Sequence, residues 1–102
     1  MVEEVDEGDL IAEALGDKKV IILQNHGILT TGPSVDIALW FYTSMERCCQ
    51  AQLMADAAGE TQLIPHDTAI KTRSFIANDV AAWASFQPAF DMICKKEPDL
   101  FD

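Results

Sequence analysis

"VIILQNHGILTTG", residues Val20 to Gly32, is the stretch on which the fold turns. Four apolar residues, three of them β-branched, run straight into Gln24, Asn25, His26 and Gly27. An unbroken apolar run of this kind reads as a strand covered on both faces, because a strand with one wet face alternates apolar and polar side chains. That pattern belongs to layered α/β proteins. Ile28 to Thr31 reads as a second short strand or an extended return. The amide pair, imidazole and glycine that end the first strand fit two descriptions. One is an ordinary polar turn; the other is a metal ligand held at a strand end. The residue types alone leave both open.

Upstream lies the acidic stretch "EEVDEGD", Glu3 to Asp9, and then "GDLIAEALG". Asp9 is the expected N-cap of a helix that places Leu10, Ile11, Ala14 and Leu15 on one face and closes at Gly16. Downstream, Gly32-Pro33-Ser34 breaks the extended pattern. Ser34 caps a helix from Val35 to about Ala58, with Asp36 in its first turn and Gly59 at its end. Ile37, Phe41, Met45, Cys48 and Leu53 share one side of it, widened by Leu39, Tyr42 and Cys49. "ETQLIPHD" reads as a loop, and "TAIKTRSFIANDVAAWASF" as one helix interrupted at Gln87-Pro88. A last short helix, "AFDMICKKE", stops before Pro98. If the chain stands alone as a small helical protein that keeps Val20–Leu23 in its core, Trp40 and Trp83, with Phe41, Phe75 and Phe86, are expected as core anchors and not as a ligand box.

The 102 residues have room for one domain. Seven Lys and Arg face seventeen Asp and Glu, a formal net charge of -10. Such a surface repels phosphate backbones and anionic headgroups, so neither nucleic acid nor a membrane surface is an expected partner. No apolar run has the length of a membrane span and no signal-peptide pattern opens the chain, which leads us to expect a cytoplasmic protein. The cysteines are Cys48, Cys49 and Cys94. An odd count with two adjacent on a helix, and no C-x-x-C, predicts reduced, buried thiols and no zinc knot.

This inventory does not close on itself. It contains four or five helices and one certain strand. A strand covered on both faces must pair its backbone on both edges or leave amide groups unsatisfied. The expectation is therefore that Val20–Leu23 pairs with another chain, or that these residues are part of a larger domain.

The order of motifs resembles a known family. "LGDKKVIILQNHGILTTGPSVDIALWFYTSMERCCQAQLMADAAG" is similar to the C-terminal half of the class II aldolase/adducin domain. The likeness rests on the apolar strand, the Asn25-His26-Gly27 triplet and the turn ending at Gly32. It extends to the following helix with Glu46-Arg47 and Gln50 to Gln52. The tail, "WASFQPAFDMICKKEPDL", resembles the C-terminal extension of fungal-type members. The resemblance implies a partial α/β/α layered domain, mostly helical, with one or two of its strands remaining. Residues 1–102 would be its C-terminal part and 80–102 the helical extension.

For function the resemblance implies a zinc-dependent lyase that cleaves small sugar phosphates, such as fuculose 1-phosphate, by a retro-aldol step. Zinc on three histidines stabilises the enediolate, and a glutamate moves the proton. By position His26 matches the third metal ligand, with Asn25 and Gly27 as its framing neighbours. The family's His-x-His pair and its catalytic glutamate match nothing in this sequence. His66, in "LIPHD", is expected as a surface residue or helix cap, and Glu46 as half of a surface pair with Arg47. Lys18, Lys19 and Arg73 are the cations able to meet a phosphate, though solvated surface charge is their commoner role. Alone, these residues are expected to be inactive. The alternative implied by adducin is a non-catalytic interaction module, with a homo-oligomeric or strand-supplying partner.

Overall fold

The computed structural model describes residues 5–101. Helix α1 spans Val5–Leu15. It starts before Asp9, which lies inside the helix and not at its cap. Glu3 and Glu4 of the acidic stretch lie outside the described residues. Gly16 closes the helix in the left-handed conformation (φ +55°), its N–H donating to Ala12 O at 3.0 Å. Of the predicted apolar face, Ile11 and Leu15 are half-buried while Leu10 and Ala14 are exposed.

Strands β1 (Val20–Leu23) and β2 (Gly27–Thr30) form an antiparallel ribbon, with Val20 opposite Thr30 and Leu23 opposite Gly27. Thr31 N–H extends the ladder to Lys19 O at 2.9 Å. The second strand is thus real. The double coverage expected of β1 is not met among the described residues: Ile22 is 60 % exposed, and each strand has a single neighbour. Val20 and Ile22 share one face of the ribbon, yet only Val20 packs against the core, and among the described residues no third strand joins the pair.

Helix α2 runs Val35–Ala58. Ser34 Oγ accepts from Ile37 N–H at 3.3 Å, as its cap position requires. Thr30 Oγ1 donates to Ala38 O at 2.7 Å and ties β2 to the first turns of α2. Gly32 sits so close to that helix that a Cβ there would lie 2.9 Å from Ile37 Cγ2. The predicted apolar side is buried only at its start. Ile37 and Phe41 are buried, whereas Cys48 is exposed and Leu53 is 70 % exposed. The expectation of buried thiols therefore fails for Cys48, and Cys49 and Cys94 are only partly covered.

The helical tail divides where Pro88 does not lie. Helix α3 is His66–Ile76 and α4 is Asp79–Lys96, with Pro88 inside it. Asn78 makes the division by serving both helices. Its Nδ2 donates to Ser74 O and Phe75 O at the end of α3, and its Oδ1 accepts from Ala81 N–H at 2.9 Å at the start of α4. Such a double cap outweighs a proline, whose missing N–H and ring clash bend a helix without forcing it to stop. A 3-10 turn, Pro98–Phe101, follows, and Phe90 meets Phe101 edge-on at 6.4 Å.

The core lies where α2 crosses α4. Ile37, Phe41 and Ala82 are buried, with Val20 and Trp40 packed against them. Gln87 Nε2 donates to Asp36 Oδ2 at 3.0 Å across this crossing, and Lys19 Nζ, in the turn before β1, pairs with Asp79 Oδ1 of α4 at 3.0 Å. Trp83 and Phe75, expected in the core, are 51 % and 72 % exposed. The chain exposes 8487 Å², against about 5,700 Å² for a compact monomer of 11.2 kDa. Its radius of gyration is 16.5 Å, where about 13 Å is usual at this length. The architecture is a mostly helical, partial α/β fold with open faces.

Candidate site at the hairpin tip

Gln24, Asn25 and His26 form the loop between β1 and β2. His26 N–H closes the turn on Leu23 O at 3.1 Å. For this closure Asn25 takes φ 64° and Gly27 φ 141°. Asparagine is among the few side chains that visit the left-handed region readily, and glycine reaches φ 141° without Cβ strain. The identities of Asn25 and Gly27 therefore follow from the turn. That of His26 does not. It lies between two conformational specialists, has no positive φ of its own, and presents an exposed imidazole at the ribbon's end.

The other candidates are spread over the chain. His66 is the exposed first residue of α3. Glu46 and Arg47 are both exposed on α2, and the ion pair recorded among the described residues is Lys19–Asp79, not a pair between these two. Among the described residues, no group of three His, Cys, Asp or Glu is placed to hold a metal ion. One imidazole does not make a zinc centre, which needs three or four protein ligands. The residues present do not by themselves fit the metal.

Lys18, Lys19 and Arg73, by contrast, are brought together. They line a hollow of about 600 Å³ with Asp17, Val20, Phe41 and Ala77. The hollow lies at the opposite end of the ribbon from His26, because Lys19 precedes β1 and His26 follows it. The sequence named these three cations but not that they converge, since Arg73 is remote along the chain and is brought near by the packing of α3 on α4 and of α4 on α2.

Comparison with known proteins assigns the family. The model of the class II aldolase and adducin N-terminal domain matches residues 1–53. The chain belongs to the class II aldolase and adducin family. It is 39 % identical over 95 residues to decarboxylase NovR of Streptomyces niveus, covering 93 % of this chain and 35 % of that protein. It is 39 % identical over 95 residues to the 4-hydroxy-3-prenylphenylpyruvate oxygenase/4-hydroxy-3-prenylbenzoate synthase of Streptomyces roseochromogenus subsp. oscitans, covering 93 % and 34 %. Rat alpha-adducin is 38 % identical over 65 residues, 59 % of this chain and 9 % of its own. The chain thus spans about a third of the length of the two Streptomyces relatives. No solved structure matches it significantly. None of the described helices is long and apolar enough to cross a membrane.

Proposed function

We propose that this chain supplies the hairpin-borne histidine of a class II aldolase-like metal centre. The polypeptide that completes the centre is then a lyase breaking a carbon–carbon bond beside an oxygen function. The observation that carries the reading is the loop itself: the turn dictates Asn25 and Gly27 and leaves an exposed His26 unexplained. The remaining ligands and the proton-moving carboxylate come from outside these residues, in keeping with relatives about three times as long. Zinc is the metal and a small sugar phosphate the substrate that the family resemblance favours. The name of the Streptomyces roseochromogenus relative, a 4-hydroxy-3-prenylphenylpyruvate oxygenase, puts an aromatic 2-oxo acid forward as the competing substrate class.

The test uses a polypeptide extended upstream to the length of those relatives. Its zinc content by metal analysis should approach one per chain, and His26→Ala should lose the metal while Gln24→Ala keeps it. Undiminished zinc in the His26→Ala protein would remove His26 from the centre. Turnover of fuculose 1-phosphate against that of 4-hydroxyphenylpyruvate then separates the substrate classes.

A second reading follows from the likeness to alpha-adducin and from the open ribbon. In it the chain is an interaction module completed by a strand-supplying partner or by another copy of itself. It needs no metal, and retention of partner binding by His26→Ala would favour it.

A further inference from the structure

From the convergence of Lys18, Lys19 and Arg73 we infer a second site, an anion pocket that binds a small organic molecule through a phosphate or carboxylate group. Three of the chain's seven cations gather on one hollow of about 600 Å³ in a protein of net charge -10. They come from different elements, the turn before β1 and helix α3, so the cluster is a product of tertiary packing and not a charged run. Arg73 offers a planar fork suited to two oxygens, and Lys18 a compact point charge. Neither has an ion-pair partner among the described residues, although carboxylates outnumber cations in the sequence.

Lys19 is held in place. Its Nζ lies 3.0 Å from Asp79 Oδ1 and 5.2 Å from the centroid of the Phe41 ring. Asp79 offsets part of its charge, so Lys18 and Arg73 carry the recognition and Lys19 shapes the wall. The lining is mixed. Buried Phe41, with Val20 and Ala77, gives an apolar surface beside the cations, and Asp17 at the rim disfavours a second anionic group. That combination fits a single oxyanion on a compact apolar body better than a polyphosphate. The pocket lies at the far end of the ribbon from His26, so its ligand is not the one held at the hairpin tip. The inference stands whether or not His26 binds metal.

The test is titration of the ¹⁵N-labelled polypeptide, extended upstream to the length of the Streptomyces relatives, with phenyl phosphate, phenylacetate and inorganic phosphate at constant ionic strength, followed by NMR. Saturable shifts are expected at residues 17–20 and around Arg73 and Phe41, with phenyl phosphate or phenylacetate binding more tightly than inorganic phosphate. Arg73→Gln, an exposed substitution, should weaken binding about tenfold, and Lys18→Gln should weaken it as well. His26→Ala should leave binding unchanged. Shifts that chloride reproduces, or binding indifferent to Arg73→Gln in a protein with unaltered spectral dispersion, would overturn the assignment. Preference among the two organic anions identifies the oxyanion.

Discussion

At the scale of single residues, the hairpin tip divides into positions that serve the backbone and one that does not. Gly27 at φ 141° has no neighbour within 4 Å of where a Cβ would stand, so a side chain there meets strain and not a clash. Gly27→Ala should therefore destabilise the chain by about 1–3 kcal/mol. Asn25→Gly should stay within a few tenths of a kcal/mol of neutral, and Asn25→Val should cost about 1–2 kcal/mol. His26→Ala should change stability by no more than about 0.5 kcal/mol, as at other exposed positions. Urea unfolding followed by far-UV circular dichroism reads all four. A large loss in His26→Ala would show that the imidazole supports the fold, and the argument for a ligand role would weaken. Gly32 is the opposite case: a methyl group there presses on Ile37 in the core, and Gly32→Ala should cost about 1–3 kcal/mol through packing.

At the scale of elements, termini matter more than propensities. Asn78 satisfies donors of one helix and acceptors of another, so Asn78→Ala removes two caps at once. It should lower stability by about 2 kcal/mol, at the upper end for a single cap residue. Pro88 sits inside α4, where its missing N–H leaves Ala84 O without its usual partner. Pro88→Ala should raise helicity and the melting temperature, because a proline costs about 3 kcal/mol in a helix interior. A lower melting temperature would mean that a bend at Pro88 positions Phe90 against Phe101, and that this contact outweighs the helical hydrogen bond. Reading from the sequence located α2 to the residue, since Ser34 and Gly59 are strong boundary signals. It misplaced the break in the tail. A proline is conspicuous in a sequence, whereas the bifunctional cap made by one asparagine depends on carbonyls brought near it by folding.

At the scale of the whole molecule, the surplus surface is the governing fact. A core of Ile37, Phe41 and Ala82 is small for 102 residues. The surface beyond that of a compact monomer, on the order of 2,800 Å², is well above the roughly 800 Å² per partner that a standard interface buries. Leu53, Leu63 and Phe75 are 70 %, 94 % and 72 % exposed, and both outer edges of the ribbon are open among the described residues. The isolated chain should therefore self-associate, and sedimentation velocity should show a mass that rises with concentration. Ile22→Lys, on the ribbon, and Leu63→Asp, beyond α2, separate the two routes by which it does so. A monodisperse monomer across that range would contradict the reading of these faces as unpartnered. Extension upstream to the length of the Streptomyces relatives should suppress the association if the missing layers belong to the same polypeptide.

Much of this was legible without coordinates. The apolar run of β1, the capped helix α2 and the family frame around His26 follow from local chemistry: β-branched side chains, a serine cap, a glycine stop and an ordered set of motifs. The mismatch between a strand expecting two covered faces and a chain with too few strands was also visible, and the exposed Ile22 bears it out. Other features depend on residues far apart in sequence. The turn's claim on Asn25 and Gly27 shows in backbone angles that a string of letters does not carry. Asn78 works as a double cap only because two helix ends meet there. The pairing of Lys19 with Asp79 and the gathering of Lys18 and Arg73 on one hollow with Phe41 arise from packing α4 against α2, which carries α3 with it. Local composition sets what each segment can become; long-range packing sets which charges become neighbours, and so where an anion can bind.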